Sequence, residues 1–284
     1  MKLLTKLKKL LLLALTVTLF AGCTEDKKFS AKPVITVTIE PLRYFTEQIV
    51  GDKCDVVTLV PAGSSPETYE PSTKQMMAIG QSALYIKAGN LGFERTWIKK
   101  LSDNSPHMII VDSSDGIIPI HSINGIVDPH TWMSPANAII ISQNIYHSLC
   151  KIDASDSLYF RDRLTILTKR ITETDRVIRK NLQNVSNRSF AIYHPTLTYF
   201  AHDYKLMQLP IEEEGKEPSA AQLMGTINMA QSAGIKLIFV QQEFSKRNTD
   251  MMASVIKARQ VVINPLAYDW NKEIIKISQA LKNQ

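Results

Sequence analysis

The sequence is poor in cysteine, with three in 284 residues. Cys23, Cys54 and Cys150 are spaced too widely for a metal motif. It has no His-Glu-x-x-His helix and no paired nucleophile and base, which argues against a hydrolase. Beyond Phe20 no apolar run reaches the roughly 20 residues a membrane helix needs. There is no internal repeat, and no low-complexity segment outside Thr24 to Lys32. Glycine and proline are also missing from Asp156 to Leu182, so nothing there interrupts a helix.

What is present begins with Lys2, Lys6, Lys8 and Lys9, an apolar run from Leu10 to Phe20, and the small-residue stop Ala21-Gly22-Cys23. That is the layout of a bacterial export signal, with cleavage expected before Cys23 and lipid attached there. The mature chain is then expected outside the cytoplasm, periplasmic or at the cell surface, anchored to the membrane by its N-terminal lipid. Removing residues 1–22 takes away four lysines and leaves 29 basic against 27 acidic residues, so the formal charge falls from +6 to +2. A nucleic-acid partner is not expected from that balance. An exported location permits a Cys54–Cys150 disulfide, although two small buried residues are the reading preferred here.

Short Val- and Ile-rich runs alternate with amphipathic stretches, the pattern of βα units around parallel sheets. Strands are predicted near Val34–Ile39, Asp55–Val60, Leu84–Lys87 and Met108–Val111, then near Ser189–Tyr193, Leu206–Pro210, Leu237–Val240 and Val261–Asn264, with helices between them that include Thr73–Ile79 and Glu94–Leu101. Between the two sets, Leu164, Leu167, Ile171, Ile178 and Leu182 form one stripe at helical spacing. The fold class is therefore α/β, two lobes of parallel-sheet βα units joined by one long rigid helix. The expected boundaries are 1–22 signal, 23–32 tether, 33–152 first lobe, 153–185 linking helix and 186–284 second lobe. Three turns of heptad spacing favour packing within one chain over a coiled-coil dimer, so a monomer is expected.

Ligands in open α/β sheets settle beyond the carboxyl ends of strands. Four loops there carry unusual groups: Pro61 to Pro71 with Glu67, Asp128 to Pro135 with His130, Tyr193-His194-Pro195, and Asn264-Pro265-Leu266. Neutral imidazoles held by proline-stiffened turns suit borderline metals, and Glu67 makes a two-imidazole, one-carboxylate set. Spacing alone does not separate this from a pair of hydrogen-bonded loop histidines. His107, His121, His147 and His202 read as structural or surface residues.

Over nearly the whole mature chain the sequence resembles the zinc and manganese solute-binding proteins of ABC importers, the ZnuA-like or TroA-like family. Pro66-Glu67-Thr68-Tyr69-Glu70-Pro71 is similar to the family's Pro-His-x-Tyr-Glu-Pro, and Asp128-Pro129-His130-Thr131-Trp132-Met133-Ser134-Pro135 to its Asp-Pro-His-x-Trp-x-Ser-Pro. His194 with Tyr199-Phe200, Glu217-Pro218-Ser219 and Asn264-Pro265-Leu266 resemble its His followed by Tyr-Phe, its Glu-Pro-Ser and its Asp-Pro-Leu. The resemblance implies an exported receptor that binds one divalent transition metal between its lobes, zinc or manganese with iron possible, joins the lobes on binding it, and delivers it to an ABC transporter permease. It implies Glu67, His130, His194 and Asn264 as metal ligands, supported by the acids Glu70 and Glu243, and no catalytic residues.

Two positions depart from the family. Glu67 stands where the family has its first metal histidine, and Asn264 where it has an aspartate. The ligand charge of −1 is kept but moves to the other lobe. An amide oxygen is a weaker donor than a carboxylate, which leaves open whether Asn264 coordinates or yields to water, Glu243 or the Glu212-Glu213-Glu214 run, itself read as a solvated turn. The altered ligands also leave open a lipid-anchored adhesin or a receptor without metal, and a metallohydrolase built on the same residues with Glu70 or Glu243 as base.

Overall fold

The computed structural model describes residues 32–122, 124–212, 215–242, 244 and 247–284, with Pro33–Gln284 as one compact unit. The expected signal, Cys23 and Glu243 lie outside the described residues. The first sheet holds β1 (Val34–Val37), β2 (Asp55–Thr58), β3 (Leu84–Lys87) and β4 (Ile109–Asp112) in the order β2-β1-β3-β4, all parallel. The second repeats it with β5 (Ser189–Ile192), β6 (Met207–Pro210), β7 (Leu237–Gln241) and β8 (Arg259–Ile263) in the order β6-β5-β7-β8.

Alternation along the strands sorts side chains between two faces. On the inner face of the first sheet, Ile35, Val37, Leu84 and Ile86 pack with α1 (Glu40–Val50) and α4 (Pro135–Ile152) through Leu42, Phe45, Ile141 and Ile145. On the outer face, Tyr85 packs with α2 (Thr73–Ile79) and α3 (Gly92–Asn104) through Ile79, Phe93 and Leu101. The second sheet follows suit. Phe190, Ile192 and Phe239 face α6 (Thr198–Asp203) and α9 (Trp270–Lys282), while Ala191, Ile238 and Val240 face α7 (Ala220–Ser232) and α8 (Arg247–Ile256).

The two inner faces belong to a single core because α5 (Ser157–Leu182) runs along both, against α1 and α4 on one side and α9 on the other. Its 26 residues rise about 39 Å at 1.5 Å per residue. Leu167, Ile171, Ile178 and Leu182 of the predicted stripe are buried together with Phe160, while Leu164 is half-buried. Burial of each such side chain stabilises by roughly 1.5–3 kcal/mol. Asp153 does not cap this helix. Its carboxylate accepts from the Ser155 and Asp156 amides and shapes the turn before it. No disulfide joins Cys54, which is buried, to Cys150, which is half-buried.

The seam between the lobes is polar as well as apolar. The Trp132 indole donates to the Pro265 carbonyl at 2.9 Å, and the Trp270 indole donates to the Trp132 carbonyl at 2.7 Å. The Tyr199 hydroxyl donates to the Asp128 carbonyl and accepts from the Ile120 amide. These bonds fix the loop that carries His130 onto the second lobe.

One buried acid is not part of any surface. Glu94, on α3, accepts from the Thr38 hydroxyl and the Ala88 amide through Oε1 and from the Gly89 amide through Oε2, at 2.6 to 2.7 Å. Burial pushes its carboxyl up to about 7, the three hydrogen bonds and Lys87 holding it back only in part.

Ile171→Ala is expected to cost about 2–5 kcal/mol in urea unfolding of the metal-free protein. The Glu94 carboxyl binds its proton more tightly folded than unfolded, so its contribution is present below about pH 4.5 and lost as pH rises through 7. Stability is expected to fall by up to about 3 kcal/mol between pH 5 and 8 from this group, and the fall is expected to shrink in Glu94→Gln.

Candidate metal centre

Both sheets present the carboxyl ends of their strands to the seam, and the site grows from the loops there. His130 follows Pro129 and opens a 3-10 turn, Thr131–Met133. Asp128 holds it twice through Oδ1, accepting from its backbone amide at 2.8 Å and bonding its ring Nδ1 at 2.9 Å. Ser134 then caps α4 by accepting from the Asn137 amide, with Pro135 in the first turn where a missing N–H costs nothing. His130 is thus wedged between a tight turn and a helix start, and only 5% of it is exposed.

His194 leaves the end of β5. The Gln241 side chain clamps its backbone, donating to its carbonyl at 2.6 Å and accepting from its amide at 3.3 Å. Its Nδ1 meets Glu212 Oε1 at 2.6 Å. The two imidazoles lie 5.1 Å apart between centroids, at 76°. Trp132 stands 5.3 Å from the His130 ring, and Phe244 stands 5.3 Å from the His194 ring. Each Nδ1 is engaged by a carboxylate, which sets that nitrogen as the N–H and turns the Nε2 lone pair outward.

Glu67 completes the group. One donor atom from each of Glu67, His130 and His194 lies within 4.8 Å of the other two. Donors on a tetrahedral zinc stand about 3.3 Å apart given its bond lengths, so a closure of up to about 1.5 Å brings the set to bonding distance. Glu67 Oε2 accepts from the Gly92 amide at 3.0 Å, whereas Oε1 is buried without a hydrogen-bond partner among the described residues. All three side chains line one cavity of about 30 Å³, with Ser65, Pro66, Trp132, Gln241, Phe244 and Leu266 among the other walls. That is room for one or two water-sized particles. A sugar, an amino acid or a peptide does not fit.

Charge in the site is carried by acids. Burial opposes the imidazolium of His130, but Asp128 beside it, its hydrogen bond, and the more distant Glu67 and Glu212 raise the ring above its ordinary pKa. Burial also works against the Asp128 anion, and His130 with hydrogen bonds from His130 and Thr198 nonetheless holds it below the usual carboxylate range. A region that stabilises a proton on a buried imidazole equally attracts a cation.

Three of the four expected ligands therefore line one cavity, and Asn264 lines a neighbouring one. The Asn264 side-chain oxygen accepts from the Leu266 amide at 3.0 Å, its backbone N–H donates to Glu273 Oε1 at 2.8 Å, and the residue lines a neighbouring cavity with Glu40, Pro61 and Gly63. Glu70 is exposed. The solvated-turn reading of Glu212 is corrected: the residue is 2% exposed and turns inward to His194. Its place just past the end of β6 was a signal, masked by the two acids that follow it. Gln241 was missed because an amide at a strand end carries no charge pattern. His107, His121, His147 and His202 are all exposed, as read from the sequence.

The family model for ZnuA, zinc-uptake complex component A periplasmic, matches residues 35–276. The chain belongs to this family. Among ZnuA relatives it is 28% identical over 259 residues to the high-affinity zinc uptake system protein ZnuA of Bacillus subtilis (strain 168), covering 85% of this chain and 80% of that protein. It is 26% identical over 275 residues to the zinc-binding lipoprotein AdcA of Streptococcus pneumoniae (strain ATCC BAA-255 / R6), where the match covers 90% of this chain but 54% of AdcA. The chain thus spans about half the length of that relative. A crystal structure of ZnuA superposes with a TM-score of 0.85 at 33% identity, covering 89% of this chain and 98% of that one. The ZnuA family is one of metal-binding transport components, not of enzymes.

The carboxylate contacts predict ring tautomers. In the metal-free protein at pH 8, nitrogen chemical shifts are expected to show both His130 and His194 protonated at Nδ1. Glu212→Ala is expected to return His194 alone to a tautomer mixture.

Proposed function

We propose that this chain captures one divalent transition-metal ion, zinc before manganese, at Glu67, His130 and His194, and hands it to the permease of an ABC importer. The observation that carries this reading is the convergence of three donors from two lobes with their outer atoms already engaged: two rings tied by carboxylates at Nδ1, and one carboxylate with a buried oxygen left over. The cavity supports an ion as cargo, since it has no room for an organic solute. Two imidazoles and a carboxylate suit zinc in four-coordination, with water completing the shell. Manganese prefers more oxygen donors than this set supplies.

Asn264 serves as a loop former in this reading, its oxygen engaged by Leu266. Export and attachment of lipid at Cys23 rest on the sequence, and agree with the lipoprotein named among the relatives. A cargo site needs no general base, and the exposed position of Glu70 gives a hydrolytic reading little support.

Stripped protein is expected to bind one equivalent of zinc in calorimetric titration. His130→Ala and His194→Ala are each expected to weaken it by more than the roughly 10- to 100-fold that loss of an outer partner costs. Metal must displace any proton on the rings, and His130 holds its proton above the ordinary range. Affinity is therefore expected to fall from pH 7.5 to 5.5, by about tenfold per unit for each proton displaced. Equal affinity at the two pH values counts against imidazole ligands.

A further inference from the structure

The two oxygens of Glu67 are not equivalent, and the difference is built by the turn that precedes α3. Gly92 is the first residue of that helix, and its amide donates to Glu67 Oε2 at 3.0 Å. A second bond runs alongside, from the Phe93 amide to the Pro66 carbonyl at 3.1 Å. The approach is so close that a Cβ on Gly92 would stand 2.3 Å from the Glu67 carbonyl oxygen and 2.9 Å from Oε2. Only glycine permits it.

The turn is itself held from within. Gly89 and Asn90 both adopt left-handed backbone, with φ of 95° and 56°. The Glu94 carboxylate grips the Ala88 and Gly89 amides, and the Arg95 guanidinium donates to the Asn90 carbonyl at 2.7 Å. Arg95 also stands 4.0 Å from Glu67 Oε2 on the solvent side, a distance worth little by itself at an exposed group. The Gly92 amide is thus a fixed donor rather than a mobile one, while Oε1 faces no donor among the described residues.

We propose that Glu67 binds the ion through Oε1 alone, and that Gly92 is the positioning residue that enforces this by occupying Oε2. The inference rests on the reading of Glu67 as a ligand. It adds a restriction on the cargo: the bond to α3 holds Oε2 at Gly92 and takes up one of its lone pairs, so Oε1 is the oxygen presented without competition and the protein offers three donor atoms rather than four. An ion content with four ligands keeps one water. An ion that needs six or more is left with most of its shell unfilled, so selectivity for zinc over manganese is set at Gly92 as well as by the imidazoles.

The test uses the full mature chain in four forms, wild type, Glu67→Gln, Gly92→Ala and the His130→Ala/His194→Ala pair. Zinc and manganese are titrated calorimetrically, cobalt(II) absorption reports coordination number, and the zinc complex of the wild type is crystallised. The expected result is zinc on Oε1 with Oε2 still bonded to Gly92, a four-coordinate cobalt spectrum, and zinc affinity lowered tenfold or more in Gly92→Ala with a reduced zinc-to-manganese preference. A folded Gly92→Ala with wild-type affinities and spectrum overturns the proposal, as does a zinc complex in which Glu67 chelates with both oxygens. Should Gly92→Ala fail to fold, the wild-type complex and cobalt spectrum decide alone. Zinc binding lost with the histidines but untouched in Glu67→Gln removes Glu67 and this inference while sparing the imidazole pair. Binding indifferent to the histidines removes the site reading and the inference with it.

Discussion

The structure depends on the burial of one apolar stripe. Phe160, Leu167, Ile171, Ile178 and Leu182 join cores that would otherwise be separate, so the two sheets share one interior. A pair of flexible crossover strands would leave the lobes free to swing, whereas a helix packed along both resists bending over its whole length. The donors consequently stand close to bonding distance without cargo, and the polar seam of Trp132, Trp270 and Tyr199 keeps the His130 loop in register with the second lobe.

Around that frame the site follows one local scheme, repeated three times. Each donor carries its second polar atom in a bond to the protein: His130 to Asp128, His194 to Glu212, Glu67 to the backbone of α3. Two of these partners are anions and one is a neutral amide. The arrangement places one anion behind each imidazole, Asp128 in the first lobe and Glu212 in the second, and none behind the carboxylate. Aromatic walls from Trp132 and Phe244 limit water and strengthen the electrostatic pull at the donors.

Much of the fold was legible because hydrophobic period is a local property. The bounds of α2 and β3 agree with those read from the chain, and α5 begins one residue later than the run free of glycine and proline. The differences have physical reasons. Helix α3 starts at Gly92 rather than Glu94, since a glycine reads as a breaker unless one knows that a neighbouring chain passes against it. Strand β8 starts at Arg259 rather than Val261 because its pairing with β7 extends through polar residues. At the site, motif resemblance pointed to Glu67, His130 and His194, which the fold brings together, but two of the partners that orient them are contacts at long range. Glu212 and His194 are 18 residues apart, and Gly92 and Glu67 are 25 apart. No period or spacing in one sequence encodes such pairs. Asn264 is a different case: family position pointed to it, and its oxygen accepts from the Leu266 amide of its own loop.

The size of the cavity bears on how an ion gets in at all. A hydrated divalent cation arrives wrapped in about six waters, and a chamber of about 30 Å³ has no space for that wrapping. A divalent ion seated among these side chains would keep no more than one or two of those waters inside the chamber.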